Sequence, residues 1–495
     1  MRLLRRARGA SFPLVTTLAF SLSPFGCGGG ETSGDTTTTT ETSPSVSALR
    51  ITLSRGVSGE VGVTVHAEDA SGAPVDGATL VISAQGGVVG PMTAKSGGDY
   101  EVALTPEVQD GEIAIQADSG SIHAEKTAIV LTDVDDGWDQ AEAVDGLVNT
   151  AGWEDGASVS PDGEWLLIGT YVPVDVFGCL VFGDGTSADT RCNTVLGPYT
   201  APERPDMLGA ERIVSPTKIK HACPSLGFPA GGGEASFPLI PVSAYGFHRQ
   251  ADGSYAEPFV VGYAADGCLG PYGLSFAGPI TGTTATALFA NDDPLTSGAG
   301  DTSTDLYWTP LTLGQKNILA TYTFDGQKSV VSGDVTVRLP LPDLAGTQGN
   351  VNLAGGRLWW DDESLPEAER QLSFADVTGT LPQAMIGPTK IASASRTGAG
   401  DIQPALDGDT LYWMGDGHIL TADLASGADP SLPASWTPAK AIVGPGMSPS
   451  GRVLAVGEPT IAHVGAETWL YFVYILKTDL GYNANVGRIR RRNGG

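Results

Sequence analysis

The sequence predicts an all-β protein: a small β-sandwich over residues 46–133, then a β-propeller over residues 134–495. Three observations carry this. The chain of 495 residues holds 67 glycines and 33 prolines with only 17% charged residues, a composition of many turns and few long surface helices. Apolar and polar residues alternate with a period of two through short runs. A turn-then-strand motif then recurs in the C-terminal two-thirds at intervals of roughly 40–50 residues, the spacing of four-stranded blades.

The first 45 residues set the location. Arg2, Arg5, Arg6 and Arg8 form a basic segment, residues 10–22 are apolar, and Phe25-Gly26-Cys27 opens into three glycines and a Thr/Ser/Gly tract. That order describes a secretory signal peptide, residues 1–26. The apolar stretch contains Pro13 and is too short to span a bilayer. Residues 28–45 carry no apolar side chain and predict a flexible tether, so that residues 27–45 form a Gly/Thr/Ser linker. Gly26-Cys27, placed between signal and tether, resembles a bacterial lipoprotein signal, with Pro24 and Phe25 where that family usually has leucine and a small residue. The resemblance implies lipidation of Cys27 and a membrane link through that anchor alone. Gly28, in place of the aspartate associated with inner-membrane retention, implies an exported outer-membrane lipoprotein, periplasmic or surface-facing.

Charge limits the partners. Without its signal peptide the chain has 24 basic and 56 acidic residues, a net charge of −32. Such a surface repels nucleic acid and anionic headgroups. Four terminal arginines, Arg488, Arg490, Arg491 and Arg492, break the pattern. Alternation in 486–490 predicts a last strand with a basic outer face.

Within 46–133, Val61, Val63 and Val65 point one way and Gly62, Thr64 and His66 the other. The same period runs through Leu80/Ile82, Tyr100/Val102/Leu104, Ile113/Ile115 and Ala128/Val130, with turns at 70–72, 76–77, 96–99 and 110–111. About seven short strands in under 90 residues predict a sandwich. Segments 72–78 (GAPVDGA) and 99–105 (DYEVALT) resemble the bacterial immunoglobulin-like domains of adhesins and surface lipoproteins. That resemblance implies a spacer role. His66 and His123 read as surface or edge residues.

The acidic run 133–139 (DVDDGWD) reads as a linker. Beyond it lie VSPDGEWLLI (159–168), NLAGGRLWW (352–360), PALDGDTLYW (404–413) and MSPSGRVLAV (447–456), each a tight turn before an apolar strand. Their glycines at 163, 355, 408 and 451 are separated by 192, 53 and 43 residues. Ser160-Pro161-Asp162-Gly163 resembles the TolB-like, WD-repeat-related propeller repeat. We expect six blades, with five or seven also compatible. Residues about 138–150 and the C-terminal strands should share a blade or lie in adjacent ones, because a closed ring joins its ends. Cys179, Cys192, Cys223 and Cys268 form an even set suited to disulfides in an exported protein; three pairings are possible, and Cys179 and Cys192, 13 residues apart, are close enough for a local clip, which leaves Cys223 with Cys268.

Catalytic motifs are missing. There is no G-x-S-x-G, no H-E-x-x-H and no phosphate-binding loop, and no catalytic residue or metal ligand is assigned. His221, His248, His418 and His463 fall in different expected blades. Glu154 and Asp155, just before the best repeat, are candidate channel-lining residues. The acidic turns 133–136 and 291–293 offer oxygen ligands to calcium, though neither has EF-hand spacing; no other cofactor is expected. The function expected is non-catalytic binding of an envelope protein or glycan by the propeller. The alternative is a glycoside hydrolase or lyase acting on extracellular polysaccharide, which a carboxylate pair in one axial pocket would favour.

Overall fold

The computed structural model describes residues 45–56, 59–149, 153–172, 243–262, 272–278, 280–291, 305–315, 321–324, 329–332, 337–338, 348–362, 369–381, 383–396, 398–446, 448–478 and 481–492. The signal peptide and all five cysteines (Cys27, Cys179, Cys192, Cys223 and Cys268) lie outside them. The fold is nearly all β, in several open sheets. No helix among the described residues is long and apolar enough to cross a membrane.

The N-terminal unit holds β1 (Ala48–Arg55), β2 (Val61–Glu68), β3 (Val81–Gln85), β4 (Gly87–Val89), β5 (Thr93–Ala94), β6 (Asp99–Pro106), β7 (Gly111–Ser119) and β8 (Ile122–Val130). One layer runs β1-β2-β6-β4 with β5 also on β6, and the other runs β3-β7-β8. The alternation read from the sequence is the alternation of burial. Val61, Val63 and Val65 are buried while Gly62, Thr64 and His66 are half-exposed. Both layers send such residues into one core. Alternation ends at Ala128, Ile129 and Val130, all buried, because other strands cover the second face there.

Two short strands follow, β9 (Asp133–Val134) and β10 (Ala141–Ala143). Among the described residues, the rest of the chain builds five antiparallel meanders, called sheets below; the first and the last are joined by a parallel pairing of β11 with β32. The first is β11 (Trp153–Val159), β12 (Trp165–Val172), β13 (Ser243–Arg249) and β14 (Tyr255–Gly262). The second is β15 (Tyr272–Phe276), β16 (Thr284–Asn291), β17 (Asp305–Thr312) and, after a separate hairpin of β18 (Thr321–Phe324) and β19 (Ser329–Ser332), β20 (Val337–Arg338). The third is β21 (Gln348–Ala354), β22 (Arg357–Asp362) and β23 (Leu372–Thr378), edged by β24 (Met385–Ile386) and β25 (Lys390–Ile391). The fourth is β26 (Ile402–Asp407), β27 (Thr410–Gly415), β28 (His418–Asp423) and β29 (Lys440–Gly444). The fifth is β30 (Val453–Val464), β31 (Glu467–Thr478) and β32 (Gly481–Arg490), completed by β10 from the start of the chain.

Neighbouring sheets stack face to face. The leading strands pack in the order β11, β15, β21, β26, β30 and back to β11. Apolar clusters fill the spaces between the first and second sheets, the second and third, the third and fourth, and the fourth and fifth. Trp359 and Trp360 show why both faces of a strand read as apolar here. They are adjacent and both fully buried, one facing the fourth sheet and the other the second.

The turn after each leading strand places Gly163, Gly282, Gly355, Gly408 or Gly465 at positive φ. Three of the four sequence repeats mark these turns. The fourth does not. Gly451 precedes β30, in a segment whose Arg452 and Val453 amides donate to Asp110 O (2.6 and 2.7 Å); the equivalent turn is at Gly465. Asp252-Gly253 joins β13 to β14 within the first sheet.

The run 133–139 is built into the fold. β9 pairs with β29, Trp138 is buried, and the Asp139 carboxylate accepts from Arg55 N (3.0 Å) and pairs with Arg490 (2.8 Å). Its acidity reads as a linker only while its cationic partners, Arg55, Lys440 and Arg490, are out of view. The basic outer face expected of the last strand is likewise absent at Arg488, which is buried against Glu142. β10 and β32, far apart in the sequence, are paired, Glu142 opposite Arg488.

Candidate functional site

Where the five leading strands meet there is a cavity of about 50 Å³, to which each strand contributes, including Ser158, Ser275, Asn350, Gln403 and Glu458. That is room for a few waters. Four of the strands, β15, β21, β26 and β30, carry a one-residue bulge at this level. β11 has Gly156 at φ 74° instead, where a Cβ would crowd Gly169. Asn350, Gln403 and Glu458 occupy three of the bulges with φ of 45°, 59° and 53°. For residues with a Cβ this is strained backbone, held by its surroundings.

A bulge leaves N–H groups without a ladder partner, and a polar belt satisfies them from strand to strand. The Glu458 carboxyl accepts from Gly156 N (2.5 Å) and Ala157 N (3.3 Å). The Gln403 side chain accepts from Glu458 N (2.9 Å) and donates to Glu458 Oε1 (3.3 Å). Asp361 accepts from Gln403 N (3.0 Å) and from the Asn350 amide (3.3 Å), and pairs with Arg370 (3.4 Å). Asn352 accepts from Leu406 N (3.2 Å), and Ser275 donates to Val351 O (2.6 Å).

Two carboxyl groups are perturbed. Glu458 titrates well above the ordinary carboxylate range, first because burial disfavours its anion and second because the Asp155 carboxylate lies within hydrogen-bonding reach. Burial and the neighbouring carboxylate thus both favour the protonated form of Glu458. Burial also raises Asp361, opposed by the Gln403 amide and Arg370.

Of the residues singled out from the sequence, Glu154 and Asp155 both lie on β11, and neither contributes to the cavity wall. Asp155 stands behind it, against Glu458. Glu154 is fully buried on the other side of the strand, where the Asn485 amide nitrogen donates to it (3.2 Å). The histidines are dispersed. His248 stacks on Trp165 (4.4 Å) and meets Glu257, His418 meets Asp133, and His463 meets Asp407 (2.9 Å); His221 lies outside the described residues. His66 and His123 are surface residues paired with Asp99 and with Asp118 and Glu125. In the acidic turn 133–136, Asp135 and Asp136 pair with Lys440 and Arg55. Among the described residues, no three His, Cys, Asp or Glu side chains converge as metal ligands do.

Sequence reading missed Asn350, Gln403 and Glu458. A signal was present: Pro404 and Pro459 follow two of them inside apolar strands, where proline marks a bulge.

No protein-family profile matches the chain, and no curated protein does. The lipoprotein, immunoglobulin-like and TolB-like resemblances therefore rest on the residues quoted for them. Among solved structures, the chain is similar to a Bacteroides thetaiotaomicron protein of unknown function (10% identity, 89% of this chain and 98% of that one, TM-score 0.25). It is also similar to a puromycin-hydrolyzing peptidase of Mycobacterium tuberculosis (9%, 88% and 53%, 0.22). A third is the Yersinia pseudotuberculosis adhesin InvE (10%, 61% and 62%, 0.14), of whose length the chain thus spans under two-thirds. These are β-rich proteins of low identity, and at such TM-scores the likeness assigns neither fold nor function.

Proposed function

We propose that the protein is a lipid-anchored envelope protein whose five sheets form a five-bladed β-propeller behind an immunoglobulin-like sandwich, and that it binds a protein or glycan partner without catalysis. The circular packing order of the leading strands and the β10–β32 pairing support the propeller. Five blades is the lower end of the range expected from the sequence.

One observation carries the binding reading: the axis is occupied by a polar belt that satisfies itself. The carboxyl pair Asp155–Glu458 gives the hydrolase alternative its best support. Its geometry disfavours that reading, because glycosidase carboxyls stand about 5–9.5 Å apart with the scissile bond between them. Here they are hydrogen-bonded to each other beside a space for a few waters. Partner contact then falls to loops and outer edges.

The test is a glycan array and an envelope pull-down with residues 45–495, alongside a polysaccharide degradation assay. Saturable binding with no cleavage is expected. Cleavage that disappears in Glu458→Gln would overturn the reading.

A further inference from the structure

Beside the contacts of Arg55 with Asp135, Asp136 and Asp139, the N-terminal unit meets the other sheets in three places, around β10 and along the seam of the fourth and fifth sheets. The first is a continuous sheet. β10 is hydrogen-bonded to β8 on one edge and to β32 on the other. The second is a buried ion cluster laid across those strands. Glu142 of β10 lies between Lys126 of β8 (3.3 Å) and Arg488 of β32 (2.7 Å), and Lys126 also holds Asp145 (2.7 Å). The Arg488 guanidinium donates in addition to Gly253 O (2.9 Å), in the turn between β13 and β14 of the first sheet. One arginine thus ties the last sheet to the first and, through Glu142, to the N-terminal unit. The third is a set of pins from the β6–β7 turn and β7. The buried Asp110 carboxylate accepts from Thr132 N (2.9 Å) and Gly446 N (3.0 Å). The Tyr474 hydroxyl donates to Glu112 (2.6 Å), and Ile129 enters the core between the fourth and fifth sheets.

We propose that the N-terminal unit is the clasp of the ring, an integral part that keeps its first and last sheets together, and not a spacer. The physical reason is the length of β10. Three residues make a weak edge strand, and β10 holds its place because β8 covers its outer edge and Lys126 shares the charge of Glu142. Without the N-terminal unit, β10 would have an open edge, and the core around Ile129 would face water. Loss of structure in the N-terminal unit and loosening of the joint are then one cooperative event.

The experiment is native-state hydrogen exchange on the full mature chain carrying Leu104→Ala. Leu104 is fully buried in the N-terminal core on β6, in the layer that does not contain β8. Truncation should lower amide protection in β2 and β6 on the order of 30-fold or more, and protection in β10, β31 and β32 should fall by the same factor. If protection falls in β2 and β6 while β10 and β32 keep that of the wild type, the clasp is refuted. Val63→Ala, a smaller truncation in the same core, gives the same comparison should L104A not fold.

Discussion

Replacing Arg488 by Met tests the joint at its centre. Methionine keeps much of the apolar length of the side chain and removes the guanidinium. Arg488 and Glu142 side chains are each 7% exposed, and the guanidinium makes two contacts to Glu142 Oε1 (2.8 and 2.7 Å), one to Gly253 O, and stacks over Trp469 (5.0 Å). Removing one partner of a buried pair costs about 3–5 kcal/mol, because the other charge is left unpaired. Lys126 still faces Glu142 at 3.3 Å, which places the loss near the lower end. The orphaned Gly253 carbonyl adds about 1 kcal/mol. The expected destabilisation is therefore about 3–4 kcal/mol, read as a lower urea midpoint at unchanged slope by tryptophan fluorescence. The double variant Arg488→Met/Glu142→Leu should recover much of it, since the unpaired carboxylate is gone. A loss below about 1 kcal/mol, or a double variant no better than the single, would refute the reasoning.

Two further outcomes are expected. The folded-state pKa of Glu458 lies above its ordinary 4.5, so the stability of its neutral form is complete below that value and is lost as pH rises towards the folded pKa. Glu458→Gln cannot ionise; it should match the wild type near pH 4 and gain on it by up to about 1.4 kcal/mol per pH unit above that, and a pH-independent difference in melting between about pH 5 and 8 would contradict the raised pKa of Glu458. Cys27→Ser should move the protein from the membrane fraction to the soluble fraction with its melting unchanged, and unaltered fractionation would remove the case for the anchor.

The strands of the N-terminal unit were legible because alternation is local. Residues i and i+2 face the same way whatever lies opposite, so Val61, Val63 and Val65 declare a buried face by themselves. Tight turns are equally local. In Ser160-Pro161-Asp162-Gly163, Ser160 donates to Asp162 (2.6 Å) and accepts from Trp165 N (2.9 Å), all within six residues. The expected pairing of residues about 138–150 with the C-terminal strands, which β10 and β32 make, came from topology and not from particular contacts.

What the tertiary structure alone decided depends on partners far apart in the chain. Gly451 has the local appearance of a repeat turn, and only its position against Asp110 shows that the turn is at Gly465. The run 133–139 has the composition of a linker, and only Arg490, some 350 residues away, turns Asp139 into part of a joint. In the cavity where the leading strands meet, Glu458 caps Gly156 across 302 residues of sequence. The left-handed backbone of Asn350, Gln403 and Glu458 has the same origin. A strained bulge persists only where the neighbouring strand supplies its hydrogen bonds, and no periodicity within the strand records which neighbour that will be.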